Sequence, residues 1–197
     1  MRQNIRKRFE PLERAPGRTD YGGDAVRFEL GEEVVTVRPP FGLSHEGEYE
    51  YVHVAPLLEA VAQDHLVGVV LVRLGGYAVG VFQGERLVAS KVGTRNVHGR
   101  HRAGGSSANR FRRRREEQAK VLVRAAAEAA VRVLAPYREE LDAVALGGDR
   151  TAVRQTLAAS PGLAALTPFG RFLSVPEPRR QVLERAISDV YAVEVAS

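Results

Sequence analysis

The order of segments predicts a mixed α/β fold, a mixed sheet in which an antiparallel meander is followed by alternating helices and strands. Three observations predict it. Apolar runs at Leu66 to Arg73, Tyr77 to Phe82 and Arg86 to Ser90 are separated only by Gly75-Gly76 and Gln83-Gly84, which is hairpin spacing. A stretch of helical composition from Ser107 to about Leu134 repeats Leu122, Ala126, Ala129 and Val133 at intervals of three or four. Beyond it, Leu141 to Leu146 reads as a buried strand stopped by Gly147-Gly148, and helix and strand patterns alternate from there on.

In chain order, the segment up to about Tyr21 is rich in Arg, Glu, Pro and Gly without a clear period, and is expected to be an irregular arm. Val26, Phe28 and Leu30 alternate before Gly31-Glu32, and Val35 and Val37 after it, so Ala25 to Arg38 predicts a hairpin ended by Pro39-Pro40. Tyr49 to Val54 alternates again as a strand, and Pro56 opens a short helix with Leu57, Leu58 and Val61 on one face. After the meander and the long helix, Pro136 ends the helical run. Asp149 is placed to cap a helix through Leu157, which Ser160-Pro161-Gly162 breaks. Phe169 to Val175 is a further strand, and Ser174 with Glu177 has capping-box spacing for a last helix bearing Val182, Leu183, Ala186 and Ile187. Residues 1–48 are thus read as an N-terminal arm and hairpin extension, and residues 49–197 as the main domain.

With 197 residues, 44% of them hydrophobic, the chain has material for a substantial core, and disorder throughout is excluded. It has no cysteine, so disulfides and thiolate metal sites are excluded, which fits a reducing compartment. Met1 to Glu10 is basic and polar with no apolar stretch behind it, so no export signal is expected. The longest apolar run, Val67 to Val72, is far too short to cross a bilayer. A cytoplasmic protein without membrane contact is expected.

The formal charge of +5 has a local origin. Between Lys91 and Arg115 lie nine of the 29 Lys and Arg and no acid, which leaves 20 basic residues against 24 acidic ones elsewhere. Such a concentration calls for a polyanion or bulk water around it. Ser106 or Ser107 is suited to cap the long helix, and Arg110, Arg112, Arg113, Arg114 and Arg115 then crowd its first turns. That is the wrong sign for the helix dipole, unless a bound phosphate reverses the cost. The alternative is a solvated basic face, which leaves Gly104, Gly105 and the missing acids unexplained.

The run Gly99-Arg100-His101-Arg102-Ala103-Gly104-Gly105-Ser106-Ser107-Ala108-Asn109-Arg110-Phe111 resembles the loop of a known family, the catalytic middle domain of eukaryotic and archaeal class-I peptide chain release factors. The similarity extends to the release-factor-like peptidyl-tRNA hydrolases of ribosome quality control, actinobacterial members among them. The family loop reads Gly-(Lys/Arg)-His-(Lys/Arg)-Ala-Gly-Gly-Gln-Ser-Ala-x-Arg-Phe. The resemblance implies an RNase H-like release-factor catalytic domain whose loop enters the peptidyl transferase centre, where water attacks the ester joining peptide to tRNA. It implies stop-codon-independent hydrolysis on stalled large subunits, since full release factors carry stop-codon-reading and partner-binding domains for which this chain is too short. Partners would be large-subunit RNA and peptidyl-tRNA, with no cofactor or metal. Gly104, Gly105, Ser106 and Ser107 would form the catalytic tip, and Arg100, His101, Arg102, Arg110 and Arg112 to Arg115 would contact RNA. One departure stands out. Release factors have Gln after the two glycines, and quality-control relatives can have it one position later; this chain has Ser106 and Ser107. A non-catalytic ribosome- or RNA-binding factor that has lost hydrolysis with the Gln is therefore the alternative.

Other chemistries fit less well. His98 and His101 as metal ligands would have their ion repelled by the surrounding arginines. A two-metal nuclease needs convergent carboxylates, whereas Asp142 and Asp149 have simpler roles as strand flank and helix cap. Ser106 as a nucleophile with His101 lacks an orienting acid. Gly147-Gly148-Asp149 lacks the third glycine and the lysine of a phosphate-binding turn. Arg2, Arg6, Lys7 and Arg8 form a basic tail or a nonspecific phosphate contact, and Phe111 is read as core.

Overall fold

The computed structural model describes residues 2–94 and 107–197, with the backbone alone for Arg2 and for residues 107–112. In chain order the elements are α1 (Arg2–Phe9), β1 (Arg18–Gly22), β2 (Ala25–Leu30), β3 (Glu33–Arg38), β4 (Gly47–Tyr49), α2 (Ala55–Ala62), β5 (Leu66–Arg73), β6 (Gly76–Gln83), β7 (Arg86–Thr94), α3 (Ser107–Leu134), β8 (Ala143–Gly148), α4 (Arg150–Ala158), α5 (Pro161–Ala164), β9 (Pro168–Leu173), α6 (Arg180–Val190) and β10 (Glu194–Ala196). They divide into two compact units, Met1–Asp64 with Ser188–Ser197, and His65–Ile187. The boundary expected at residue 48 falls inside the first unit, because Val52, Val54, Leu57 and Val61 complete that unit's core and β10 returns to pair with β3.

The first unit is an antiparallel sheet in the order β10-β3-β2-β1-β4. The hairpin expected from Ala25 to Arg38 is present and turns at Gly31, whose φ of +66° lies in the left-handed region that favours glycine. The expected irregular arm is instead ordered. Ile5 and Phe9 lie four apart, so a helix brings both to one face and buries them, with the Phe9 ring 5.6 Å from Phe28. Thr19 and Tyr21 then alternate inward along β1.

The strand expected over Tyr49 to Val54 ends at Tyr49. Val52 and Val54 are buried as the alternation requires, but the backbone pairs with a loop instead of a ladder: Arg14 N–H donates to Val52 O at 2.8 Å and Val52 N–H to Ala15 O at 3.0 Å. Val54, which precedes α2, has no side chain to cap it, and Glu13 supplies the acceptor: its Oε2 takes the Val54 and Ala55 amides at 2.6 and 3.1 Å, and its Oε1 lies 3.1 Å from His53 Nδ1. Burial works to raise the Glu13 pKa, but these bonds outweigh it and hold the carboxyl below its ordinary value.

The second unit has the predicted fold class. β7, β6 and β5 form the antiparallel meander, and β8 and β9 extend the sheet parallel to β5, giving a mixed sheet in the order β7-β6-β5-β8-β9. Its central strands are apolar on both faces because helices cover both. Val70, Val72, Val79 and Val81 meet Leu122, Ala126, Ala130 and Val133 of α3, while Leu183 of α6 packs at Gly80 on the other face. Asp149 caps α4 as expected, its Oδ1 accepting from Ala152 N–H at 2.8 Å.

Two local expectations differ. Ser160-Pro161-Gly162 ends α4 but also starts α5, since proline is pre-set for a first helical turn. The capping box at Ser174 and Glu177 does not form: Pro176 and Pro178 keep the residues before them out of a helix, the chain bends at Pro176 and Glu177, α6 begins only at Arg180, and Glu177 pairs with Arg179 at 2.8 Å.

Both the tight approach of β8 and the Glu13 cap can be tested by unfolding. At Gly148, φ is +103° and a Cβ would overlap the Val72 carbonyl oxygen, so Gly148→Ala is expected to cost about 3 kcal/mol in urea unfolding. A midpoint like wild type would refute the close packing of β8 on β5. Because the folded-state pKa of Glu13 is depressed, its contribution is complete above the ordinary carboxylate range and lost as pH falls through the lowered value. Glu13→Gln should therefore lose about 1–2 kcal/mol at neutral pH. The difference from wild type should shrink in acid, and a pH-independent difference would contradict the cap.

Candidate functional site at the end of the mixed sheet

Parallel pairing brings the last residues of β5, β8 and β9 to one end of the sheet. Gly76 opens β6 beside Arg73, and Thr94 closes β7 opposite Gly76. The connection from β7 to α3 therefore leaves from the C-terminal end of the parallel strands, where open α/β sheets form their sites.

The strand that feeds this connection is tightly packed. A Cβ at Gly93 would lie 2.5 Å from the Tyr77 ring, and one at Gly76 would lie 2.8 Å from Gly93 O. Next to it, Arg73 Nη1 donates to Val175 O at 2.7 Å, which ties the β5–β6 turn to the segment after β9. The base is thus set by two glycines, one aromatic ring and one arginine.

Arg100, His101, Arg102, Gly104, Gly105 and Ser106, with His98, lie outside the described residues. Ser107 is the first residue of α3, and the backbones of Arg110, Phe111 and Arg112 are helical; their side chains, and with them the core role expected of Phe111, lie outside what the structure describes. Arg113, Arg114 and Arg115 are described and exposed. No described side chain from Arg113 to Val121 is buried, and packing on the sheet begins at Leu122. α3 is about 40 Å long at 1.5 Å per residue, so roughly its first half carries charge and only its second half carries core.

Among the described residues, no three His, Cys, Asp or Glu side chains converge as a metal site would need. Asp142 accepts from Leu66 N–H at 2.8 Å and Asp149 caps α4, so both carboxylates do structural work. No helix of the described residues is long and apolar enough to cross a membrane. Sequence reasoning missed Arg73 and Arg150, whose guanidinium lies 4.3 Å from the Phe172 ring centroid. The signal that could have found them was their position at strand ends, Arg73 closing β5 and Arg150 two residues beyond β8.

Comparison with known proteins bears on the same part of the chain. The model of the Actinobacteria/Chloroflexi VLRF1 release factor family matches residues 65–196, two thirds of the sequence. Peptide chain release factor subunit 1 of Archaeoglobus fulgidus is 32% identical over 93 residues, which is 47% of this chain and 23% of that protein. The Pyrococcus abyssi protein of the same name is 34% identical over 95 residues, with the same shares. The chain thus matches about a quarter of the length of these curated relatives. Among solved structures, the archaeal translation termination factor aRF1 aligns with a TM-score of 0.48 and 20% identity, over 84% of this chain and 47% of that one.

Arg113, Arg114 and Arg115 are exposed in the second and third turns of α3, where like charges on one helix repel one another. Replacing Arg113, Arg114 and Arg115 by Gln should leave the melting temperature unchanged or raise it, by at most about 1 kcal/mol of stability. A clear fall in melting temperature would mean that these side chains hold the fold together.

Proposed function

Since the chain belongs to the Actinobacteria/Chloroflexi VLRF1 release factor family, we propose that it promotes hydrolysis of the peptidyl-tRNA ester on stalled large ribosomal subunits, independently of stop codons. The observation that carries this reading is the run Gly99 to Phe111, which matches the release-factor loop at nearly every position inside the region that the family model covers.

In this reading the arginines, Arg100, Arg102, Arg110 and Arg112 to Arg115, neutralise RNA phosphates, with His101 as a further donor, and Gly104 and Gly105 allow close approach to the ester. Water adds to the ester carbonyl carbon. The bond to the tRNA 3′ oxygen then breaks, and that oxygen leaves with a proton while the peptide keeps the new carboxyl. A main-chain amide following Gly105 could donate to the developing oxyanion whatever side chain it bears, so this part of catalysis survives the loss of Gln. Ser106 or Ser107 would place the attacking water through a hydroxyl, directly or through a second water.

The second reading is an RNA- or ribosome-binding factor without hydrolysis, and the two serines in place of Gln favour it. Release of labelled peptide from stalled large-subunit complexes separates the two. Gly105→Ala is expected to slow release on the order of a hundredfold, as misplacement of a reacting group by about an ångström does. Equal release by wild type and Gly105→Ala would refute hydrolysis by the loop. Binding without release by the wild type, with release appearing in Ser106→Gln or Ser107→Gln, would establish the second reading.

A further inference from the structure

We propose that the groove between α3 and α4 docks an acidic amphipathic helix of a partner protein. The groove has a volume of about 760 Å³. Its walls come from one stripe of α3 and one edge of α4 and the turn behind it. On α3 the lining positions are 120, 123, 124, 127, 128, 131 and 132, which is the i, i+3, i+4, i+7 pattern of a single helical face.

The chemistry of floor and rim differs. Val123, Ala127 and Val131 make an apolar floor, with Ala159 on the facing wall. Val131 is 40% exposed, one of few large apolar side chains so open among the described residues. A smaller cavity shares Val131 and Ser160 and carries the apolar line on to Leu163 and Leu166. The rim carries Lys120, Arg124 and Arg132, with Arg138 at the far end; Lys120 lies 4.0 Å from Glu117 and Arg124 pairs with Glu128, so the net positive charge of the rim rests mainly on Arg132 and Arg138. The one acid among the groove's lining residues, Glu128, is already paired with Arg124 at 3.1 Å.

An apolar floor between basic edges fits a helix with an apolar stripe and acidic flanks. Single-stranded RNA fits less well, because no aromatic ring lines the groove for a base to stack on. A small molecule would need polar groups converging in an enclosed site, and this groove is open along its length. A partner docked there would sit on the anchored half of the helix that begins at the basic loop, and would bring that loop with it. The inference does not depend on whether the loop hydrolyses an ester.

The test uses the full chain and a fluorescent peptide of about 14 residues with leucines at helical spacing and glutamates on both flanks. Two controls accompany it, the same peptide with lysine flanks and a composition-matched scrambled peptide. Anisotropy at physiological salt should show the acid-flanked helix binding at least about tenfold tighter than either control, with backbone amide shifts concentrated at 120–132 and 155–160. Val131→Asp and, from the other wall, Ala159→Glu should each weaken binding about tenfold while the melting curve stays that of wild type; both positions are exposed. The pair Arg124→Glu with Arg132→Glu should move the preference toward the lysine-flanked peptide. Absence of binding overturns the proposal, as does equal binding of the scrambled peptide, which would mark general attraction to the basic loop. Displacement of the peptide by an oligouridylate that shifts the same amides would also overturn it, in favour of nucleic acid.

Discussion

The seam between the second half of α3 and the sheet is what allows its first half to exist as it does. Leu122, Val133 and Leu134 are buried there with a run of alanines against Val70, Val79 and Val81. Burying those three large side chains contributes roughly 5–9 kcal/mol. Arg113 to Arg115, beyond the first turn of α3, repel one another by about 1 kcal/mol at most. The seam wins by a wide margin, so the helix tolerates a cluster of positive charge ahead of Glu116 and Glu117. A shorter helix, or one with Leu122 and Val133 made polar, would lose that margin and fray from its basic end.

The same seam fixes where the charge is delivered. The alanines at 126, 127, 129 and 130 let α3 lie close to the sheet, which sets its axis. Its start is joined to β7, whose last residues are packed by Gly76, Gly93 and the Tyr77 ring. In sequence, the basic run lies between the packed end of β7 and α3, whose packing on the sheet begins at Leu122.

Much of this could be read from the residues. The meander was legible because Gly75-Gly76 and Gln83-Gly84 divide apolar runs too short to be helices, and α3 because its apolar positions keep a helical period over three turns. The cap at Asp149 followed from one carboxylate placed before a periodic segment. What escaped depended on partners distant in sequence. α1 has only Ile5 and Phe9 as apolar signal, and its burial is decided by Phe28 and the sheet behind it. Residues 50–54 carry a strand's alternation, but their hydrogen bonds go to residues 14 and 15 and to the Thr19 hydroxyl. The box at Ser174 and Glu177 obeyed local spacing and was overruled by two prolines. Of the candidate site, the charge and the loop motif are features of the sequence, whereas the closeness of Gly93 to Tyr77 and the groove along α3 belong to packing and had no local signature.

The replacement of Gln by Ser106 and Ser107 bears on which parts of a release-factor loop are separable. In the proposed reading, close approach through Gly104 and Gly105 and phosphate attraction by the arginines depend on residue types that this chain retains. Water placement by a long amide depends on a side chain that it lacks. Electrostatic stabilisation of developing charge usually lowers a barrier more than the positioning of a single water does, and fixed main-chain donors can supply it at no cost in reorganisation. A loop that kept shape and charge while changing the tip side chain would therefore keep the larger share of its chemistry. The charge is a separate matter from the tip: the nine basic residues between Lys91 and Arg115, in a protein otherwise slightly acidic, are present whatever side chain follows Gly105.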